Sequence, residues 1–195
     1  CSSDLLQQLT QSGQSVWLDF ITRPFITQGQ LQKMISDDSL RGVTSNPTIF
    51  QKAISGYKDY DELIRQRPAN ESTMETYEAL AIQDIQMACD VFEPVYRATN
   101  CLDGYVSLEV NPRLARNTAG TIEEARRLFK AVNRANVMIK IPATQEGLPA
   151  IEQALYEGIN INVTLIFSVE RYEAVVESWL KGLERRLAES KSVQN

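Results

Sequence analysis

No histidine occurs among the 195 residues. That excludes a Ser-His-Asp triad, a Cys-His pair, a histidine-based metal site and an imidazole proton shuttle. Acid–base work must fall to Asp, Glu, Lys or Tyr. The three cysteines, Cys1, Cys89 and Cys101, have no metal-like spacing and read as free thiols of a reducing compartment. No apolar run approaches 18 residues, and the first fifteen residues, CSSDLLQQLTQSGQS, are too polar for a signal-peptide core. The expected location is therefore intracellular, in the cytoplasm, and the Cys1 start suggests a missing leader or a clipped chain. No run of five basic residues occurs and the formal net charge is −5, which argues against nucleic-acid and membrane partners and leaves anionic small molecules open. Repeats and low-complexity segments are absent too. A hydrophobic content of 43% is ordinary for a globular protein, and the length predicts a single domain over 1–195.

What is present centres on Val137-Met138-Ile139-Lys140-Ile141-Pro142-Ala143-Thr144. In a strand, Val137, Ile139 and Ile141 share one face and Lys140 lies on the other. A lysine among apolar groups can lose its proton, because desolvation disfavours the ammonium, and a neutral amine attacks carbonyl carbon. Taken alone, a strand lysine is more simply an exposed edge residue.

The other strands change that balance. Val16–Phe20 reads as a buried strand with Trp17 and Asp19 on one face. Leu40–Phe50 carries Gly42, Thr44 and Asn46 on one face, and Pro47 stops the ladder. Tyr105–Pro112 alternates cleanly, with Val106, Leu108 and Val110 opposite Tyr105, Ser107, Glu109 and Asn111. Ile159–Phe167 sets Ile161, Val163, Leu165 and Phe167 against Asn160, Asn162 and Thr164. Between the strands, helices are predicted over 4–12, over 27–36 with Thr27 as N-cap, over 121–133 with a Thr121/Glu124 capping box, over 147–157 ending at Gly158, and from Ser168 to about 190. The last has a predicted buried stripe of Tyr172, Val175, Val176, Trp179, Leu180, Leu183 and Leu187. Residues 51–100 form a helical insertion broken at Pro68, with a long helix over 72–96. Lys191 to Asn195 is a polar tail.

Five strands alternating with helices imply a parallel sheet with right-handed crossovers. A sheet covered on both faces would leave Asp19, Asn46, Glu109, Lys140, Asn162 and Thr164 without partners. A barrel gives the polar faces an axis to share, with the active site at the strands' C-terminal ends.

Gly42-Val43-Thr44-Ser45-Asn46-Pro47-Thr48-Ile49-Phe50 and Val137 through Leu148 resemble the two signature segments of the transaldolases. Trp17-Leu18-Asp19, Ser107-Leu108-Glu109-Val110 and Asn162 through Ser168 fit the same family in the same order. The stretch Phe50-Gln51-Lys52-Ala53-Ile54-Ser55 resembles the longer transaldolases of plants, cyanobacteria and other bacteria. The resemblance implies an α/β fold of the (β/α)8 barrel family, with no metal or cofactor. It implies that Lys140 forms a Schiff base with a ketose phosphate and that Asp19 takes the proton whose loss breaks the carbon–carbon bond. Glu109 would act through a water held by Thr164, and Asn46, Asn162 and Thr44 would bind substrate. The activity implied is transfer of a dihydroxyacetone unit from sedoheptulose 7-phosphate to glyceraldehyde 3-phosphate in the non-oxidative pentose phosphate pathway.

Such a barrel needs about 250 residues, so this chain supplies about five of the eight βα units and is expected to be truncated at its C-terminus. The strands that carry the family's phosphate-binding groups are missing, and Arg171, Arg185 and Arg186 are expected to be solvated. Two other functions stay open: a Schiff-base aldolase that releases a free ketone, and a non-catalytic fragment. Monomer and homodimer are not distinguished.

Overall fold

The computed structural model describes residues 2–193. Five strands follow one another in the sheet in chain order: β1 (Trp17–Asp19), β2 (Gly42–Thr44), β3 (Tyr105–Glu109), β4 (Val137–Pro142) and β5 (Ile161–Thr164). Each leads into helix, which makes the chain five successive βα units of the (β/α)8 barrel class. The chain divides into two compact units, Cys1–Val106 with Arg134–Asn136, and Ser107–Asn133 with Val137–Asn195.

In the first unit, α1 (Ser2–Gln11) precedes β1, which pairs in parallel with β2 in the register Trp17↔Gly42, Leu18↔Val43, Asp19↔Thr44. Only glycine fits at 42, because a Cβ there would lie 2.3 Å from the Trp17 indole. β1 is not the buried strand expected: Trp17 and Leu18 are half-buried, and Asp19 and Phe20 are exposed, as suits a strand with a neighbour on one side only. The helix expected from Thr27 is two helices, α2 (Arg23–Thr27) and α3 (Gln30–Asp37). Thr22 caps α2, accepting from Phe25 N at 3.3 Å, and Pro24 sets its first turn. Gly29 at φ +77° then separates the helices, so Thr27 ends one helix instead of starting another. Pro47 not only ends the strand but opens α4 (Pro47–Gly56), for which Asn46 is the N-cap.

The insertion continues through a 3-10 turn at Lys58–Tyr60 and α5 (Asp61–Arg65) to the long α6 (Thr73–Ala98). Ser72 and Glu75 form the capping box of α6, and Leu80, Ala81, Ile85, Ala88 and Phe92 make its buried face. Inside this unit Asp84 is fully buried and ion-paired to Arg23 at 2.6 Å. The Tyr60 hydroxyl donates to Asp84 at 2.5 Å and accepts from Arg23 N at 3.0 Å. Burial pushes the Asp84 carboxyl above the usual carboxylate range, against the pull of Tyr60 and Arg23, and burial also raises the Tyr60 phenol. Cys89 is a buried free thiol and Cys101 a half-buried one; Cys1 lies outside the described residues.

In the second unit β4 pairs in parallel with β5, Ile139↔Ile161 through Pro142↔Thr164. Val137, Ile139 and Ile141 are fully buried, which fits β4 lying between β3 and β5 in the strand order. β5 is shorter than its alternation suggests. Leu165 adopts φ +64°, outside strand geometry, and Leu165 and Phe167 are exposed instead of lining the aliphatic face.

The helix after β3 is α7 (Thr118–Val132), and its cap is Asn117, which accepts from Gly120 N at 2.9 Å. The expected Thr121/Glu124 box does not form, because the Thr121 hydroxyl donates to Leu114 O and Glu124 pairs with Arg127. α8 (Gly147–Glu157) ends at Gly158, as its sequence predicts. α9 (Val169–Ala188) is capped by Ser168, but its buried residues are Val175, Ser178 and Gly182. A Cβ on Gly182 would meet Glu152 O at 2.9 Å, so α9 approaches α8 through its small residues. Tyr172, Trp179, Leu180 and Leu187 are displaced from that seam and exposed, contrary to the expected stripe. Arg185 and Arg186 are not merely solvated: Arg185 pairs with Glu152 at 2.8 Å over the Tyr156 ring, and Arg186 donates to Tyr156 O and Ser192 O. No helix among the described residues is long and apolar enough to cross a membrane.

Candidate active site

Lys140 is the fourth residue of β4 and is 7% exposed. It is therefore not an exposed edge residue. Its ammonium meets the Glu109 carboxylate at the end of β3, Nζ to Oε2 3.1 Å, with both side chains largely shielded from water. The backbone fixes this meeting, since Val110 N donates to Lys140 O at 3.1 Å. A buried ammonium without a counter-charge would be costly, so the carboxylate stabilises the lysine in place.

Across the other ladder, Lys140 is the register partner of Asn162. Side chains of paired residues project from the same face, and Thr164, two residues on, shares that face. The Asn162 Nδ2 donates to the Ser107 hydroxyl at 3.1 Å. Ser107 is fully buried two positions before Glu109. The second unit thus gathers Lys140, Glu109, Asn162, Thr164 and Ser107 on three successive strands. Ser107 is not among the candidates that sequence reasoning singles out, although it lies on the polar face of the β3 alternation. A small hydroxyl on that face, in step with Glu109, was the available signal.

Asp19, Thr44 and Asn46 belong to the first unit. Asp19 and Thr44 are register partners across β1 and β2, and the Asp19 side chain is exposed. The Asn46 Oδ1 accepts from Ile49 N at 3.0 Å, which fixes the orientation of its amide at the start of α4.

The loops that leave β3 and β4 are tied together. The Thr144 hydroxyl donates to Ala115 O at 2.6 Å and accepts from Gly147 N at 2.9 Å, while the Thr118 hydroxyl donates to Glu146 O at 2.7 Å. Position 147 admits only glycine, since a Cβ would sit 2.1 Å from Pro142 O. Among the described residues no group of three or more His, Cys, Asp or Glu side chains could hold a metal ion.

A strand lysine paired with a carboxylate, beside an amide and a hydroxyl, can form and hydrolyse an imine with a carbonyl compound. The sequence model of the Transaldolase/Fructose-6-phosphate aldolase family matches residues 16–193. Transaldolase 2 of Nostoc punctiforme is 48% identical over 193 residues, covering 98% of this chain and 51% of that protein. Transaldolases of Arthrobacter sp. and Thermobifida fusca are each 52% identical, over 92% of this chain and 48% and 49% of their own lengths. The chain spans about half the length of the curated relatives it matches. With the family model matched over nearly its whole length, the chain belongs to the transaldolase/fructose-6-phosphate aldolase family.

Proposed function

We propose that the chain carries the imine-forming part of a transaldolase. The observation that supports this most directly is the shielded Lys140–Glu109 pair at 3.1 Å, on strands whose next neighbour presents Asn162 and Thr164. Lys140 as the free amine adds to the C2 ketone of a ketose phosphate, and the carbinolamine loses water to give an iminium. Glu109, through a water held by Thr164, relays the protons of that dehydration and of the later hydrolysis. Asp19 removes the proton from the C4 hydroxyl, the C3–C4 bond breaks, and its electron pair moves into the iminium to leave an enamine and a free aldose phosphate. The enamine then attacks the C1 of an acceptor aldehyde. Asn162, Asn46 and Thr44 hold the hydroxyls of the retained dihydroxyacetone unit. The proposed donor and acceptor are sedoheptulose 7-phosphate and glyceraldehyde 3-phosphate, in the non-oxidative pentose phosphate pathway and in the cytoplasm.

The test is borohydride trapping with fructose 6-phosphate followed by peptide mapping. A reduced adduct on Lys140 is expected, and an adduct on any other lysine would overturn the assignment. Because the matching family includes aldolases, a second reading is release of free dihydroxyacetone. Donor supplied without an acceptor aldehyde separates the two, since an aldolase turns over and a transaldolase stalls after one equivalent. The half-length match to its relatives supports a third reading, a fragment without activity, which would give no adduct at all.

A further inference from the structure

We propose that Thr144 and Thr118 are positioning residues that hold Glu109 against Lys140 through the two loops above the strands; the proposal rests on the Schiff-base reading. Lys140 is followed after three residues by Thr144, and Glu109 is followed after five by Ala115, the carbonyl to which Thr144 donates. These loops exchange ties in both directions, across 29 and 28 residues of sequence: Thr144 to Ala115 O at 2.6 Å, and Thr118 to Glu146 O at 2.7 Å. Each loop gives one hydroxyl and receives one, so sliding either loop along its strand breaks both bonds.

The Thr144 hydroxyl is used twice. Its proton goes to Ala115 O, and its lone pair receives Gly147 N at 2.9 Å, which closes the turn into α8. Gly147 can take that place because it has no Cβ to strike Pro142 O. A second tie leads to the remaining strand, Ala143 N donating to Thr164 O at 2.8 Å. The exit of β4 is thereby clamped to the β3 loop on one side and to the end of β5 on the other. The clamp begins a few residues beyond the lysine. Below it, the Val110–Lys140 backbone bond fixes the strands; above it, the threonines keep them from splaying where the carboxylate and ammonium meet at 3.1 Å. A displacement on the order of 1 Å at such a pair is enough to slow a proton relay many-fold.

The predicted role differs from general stabilisation in acting through Glu109. Thr144→Val keeps the shape and deletes the hydroxyl, leaving Ala115 O and Gly147 N without this partner, whereas Thr144→Ser keeps the hydroxyl. Adduct formation at Lys140 is measured by borohydride trapping over a range of fructose 6-phosphate concentrations, with the fold of each variant checked by circular dichroism. T144V and T118V should each lower the saturating rate of trapping by roughly 10-fold, with little change in the half-saturating concentration. T144S should restore the rate. In a Glu109→Gln background T144V should add nothing, because the group it positions is already disabled. Equal losses from T144V with Glu109 intact and in the E109Q background would overturn the proposal, as would unchanged trapping in a folded T144V or T118V. Absence of any adduct in the unsubstituted protein would instead overturn the Schiff-base reading and the proposal with it. If T144V does not fold, T118V alone decides, since it removes one tie and leaves the α8 turn intact.

Discussion

Removing the buried pair Arg23–Asp84 as a unit should cost much less than the sum of its two separate deletions. Asp84 has no exposure, Arg23 is 13% exposed, and the Tyr60 hydroxyl bonds the carboxylate at 2.5 Å. Asp84→Leu leaves a largely shielded guanidinium with Gln83 Oε1, at 3.2 Å, as its remaining side-chain acceptor and leaves the Tyr60 hydroxyl without its acceptor. Deleting one partner of a buried pair costs about 3–5 kcal/mol, and the residual exposure of Arg23 places this case near the lower end of that range. Arg23→Met strands the carboxylate and should cost a similar amount, softened by the Tyr60 bond. The double variant buries no charge and keeps comparable apolar volume, and the Tyr60 oxygen still accepts from the backbone N of residue 23, so only the Tyr60 O–H proton is left without its acceptor, at about 1–2 kcal/mol. The expected coupling is therefore several kcal/mol, a large share of the ~5–15 kcal/mol total of an ordinary domain. Urea unfolding of the four proteins, followed by circular dichroism, measures it. Additivity within about 0.5 kcal/mol would refute the reasoning.

Asp19→Asn should leave trapping at Lys140 largely intact while turnover falls by roughly 10²–10⁴-fold, whereas Glu109→Gln should slow adduct formation itself; equal loss of trapping in both would show that the roles are not divided this way. Glu157 is held below the usual glutamate range by hydrogen bonds from Arg126, so the fold gains stability above that range and loses it as the pH falls through the lowered value. Glu157→Gln should flatten acid unfolding between roughly pH 5 and 3. Because Arg126 is half exposed, the effect at pH 7 should stay below about 1 kcal/mol, and an unchanged acid slope would count against the linkage.

The core of the candidate site was legible because strand periodicity is a local code. Alternation in Tyr105–Glu109 and Val137–Pro142 puts Glu109 and Lys140 on polar faces, and the parallel order makes them neighbours. Helix caps were less legible. Asn117 and Thr121 are both good caps close together in the chain, and the choice falls to Asn117 because a carbonyl seven residues back claims the Thr121 hydroxyl. Of the buried face of α9, sequence reasoning found Val175 and missed Ser178 and Gly182, for a similar reason. The large residues advertise a seam, yet Gly182 and Ser178 allow the close approach to α8 and define the real one. The loop ties made by Thr144 and Thr118 leave no periodic trace, since each joins a side chain to a backbone carbonyl about 30 residues distant.

The indole packed over Gly42 gives the molecule a built-in optical division. The sequence holds two tryptophans, and they fall one to each compact unit, Trp17 in the first and Trp179 in the second. Trp17 rests on a glycine with no side chain to buffer it and donates its Nε1 hydrogen to Ser15 at 3.1 Å, so its emission reports on the β1–β2 pairing itself. Trp179, half exposed on α9, reports on the other unit. A conservative Trp→Phe change at either site leaves a single tryptophan, which can be excited at wavelengths the seven tyrosines do not absorb. Whether the two halves melt together or one after the other can then be followed by emission alone, with no extrinsic dye.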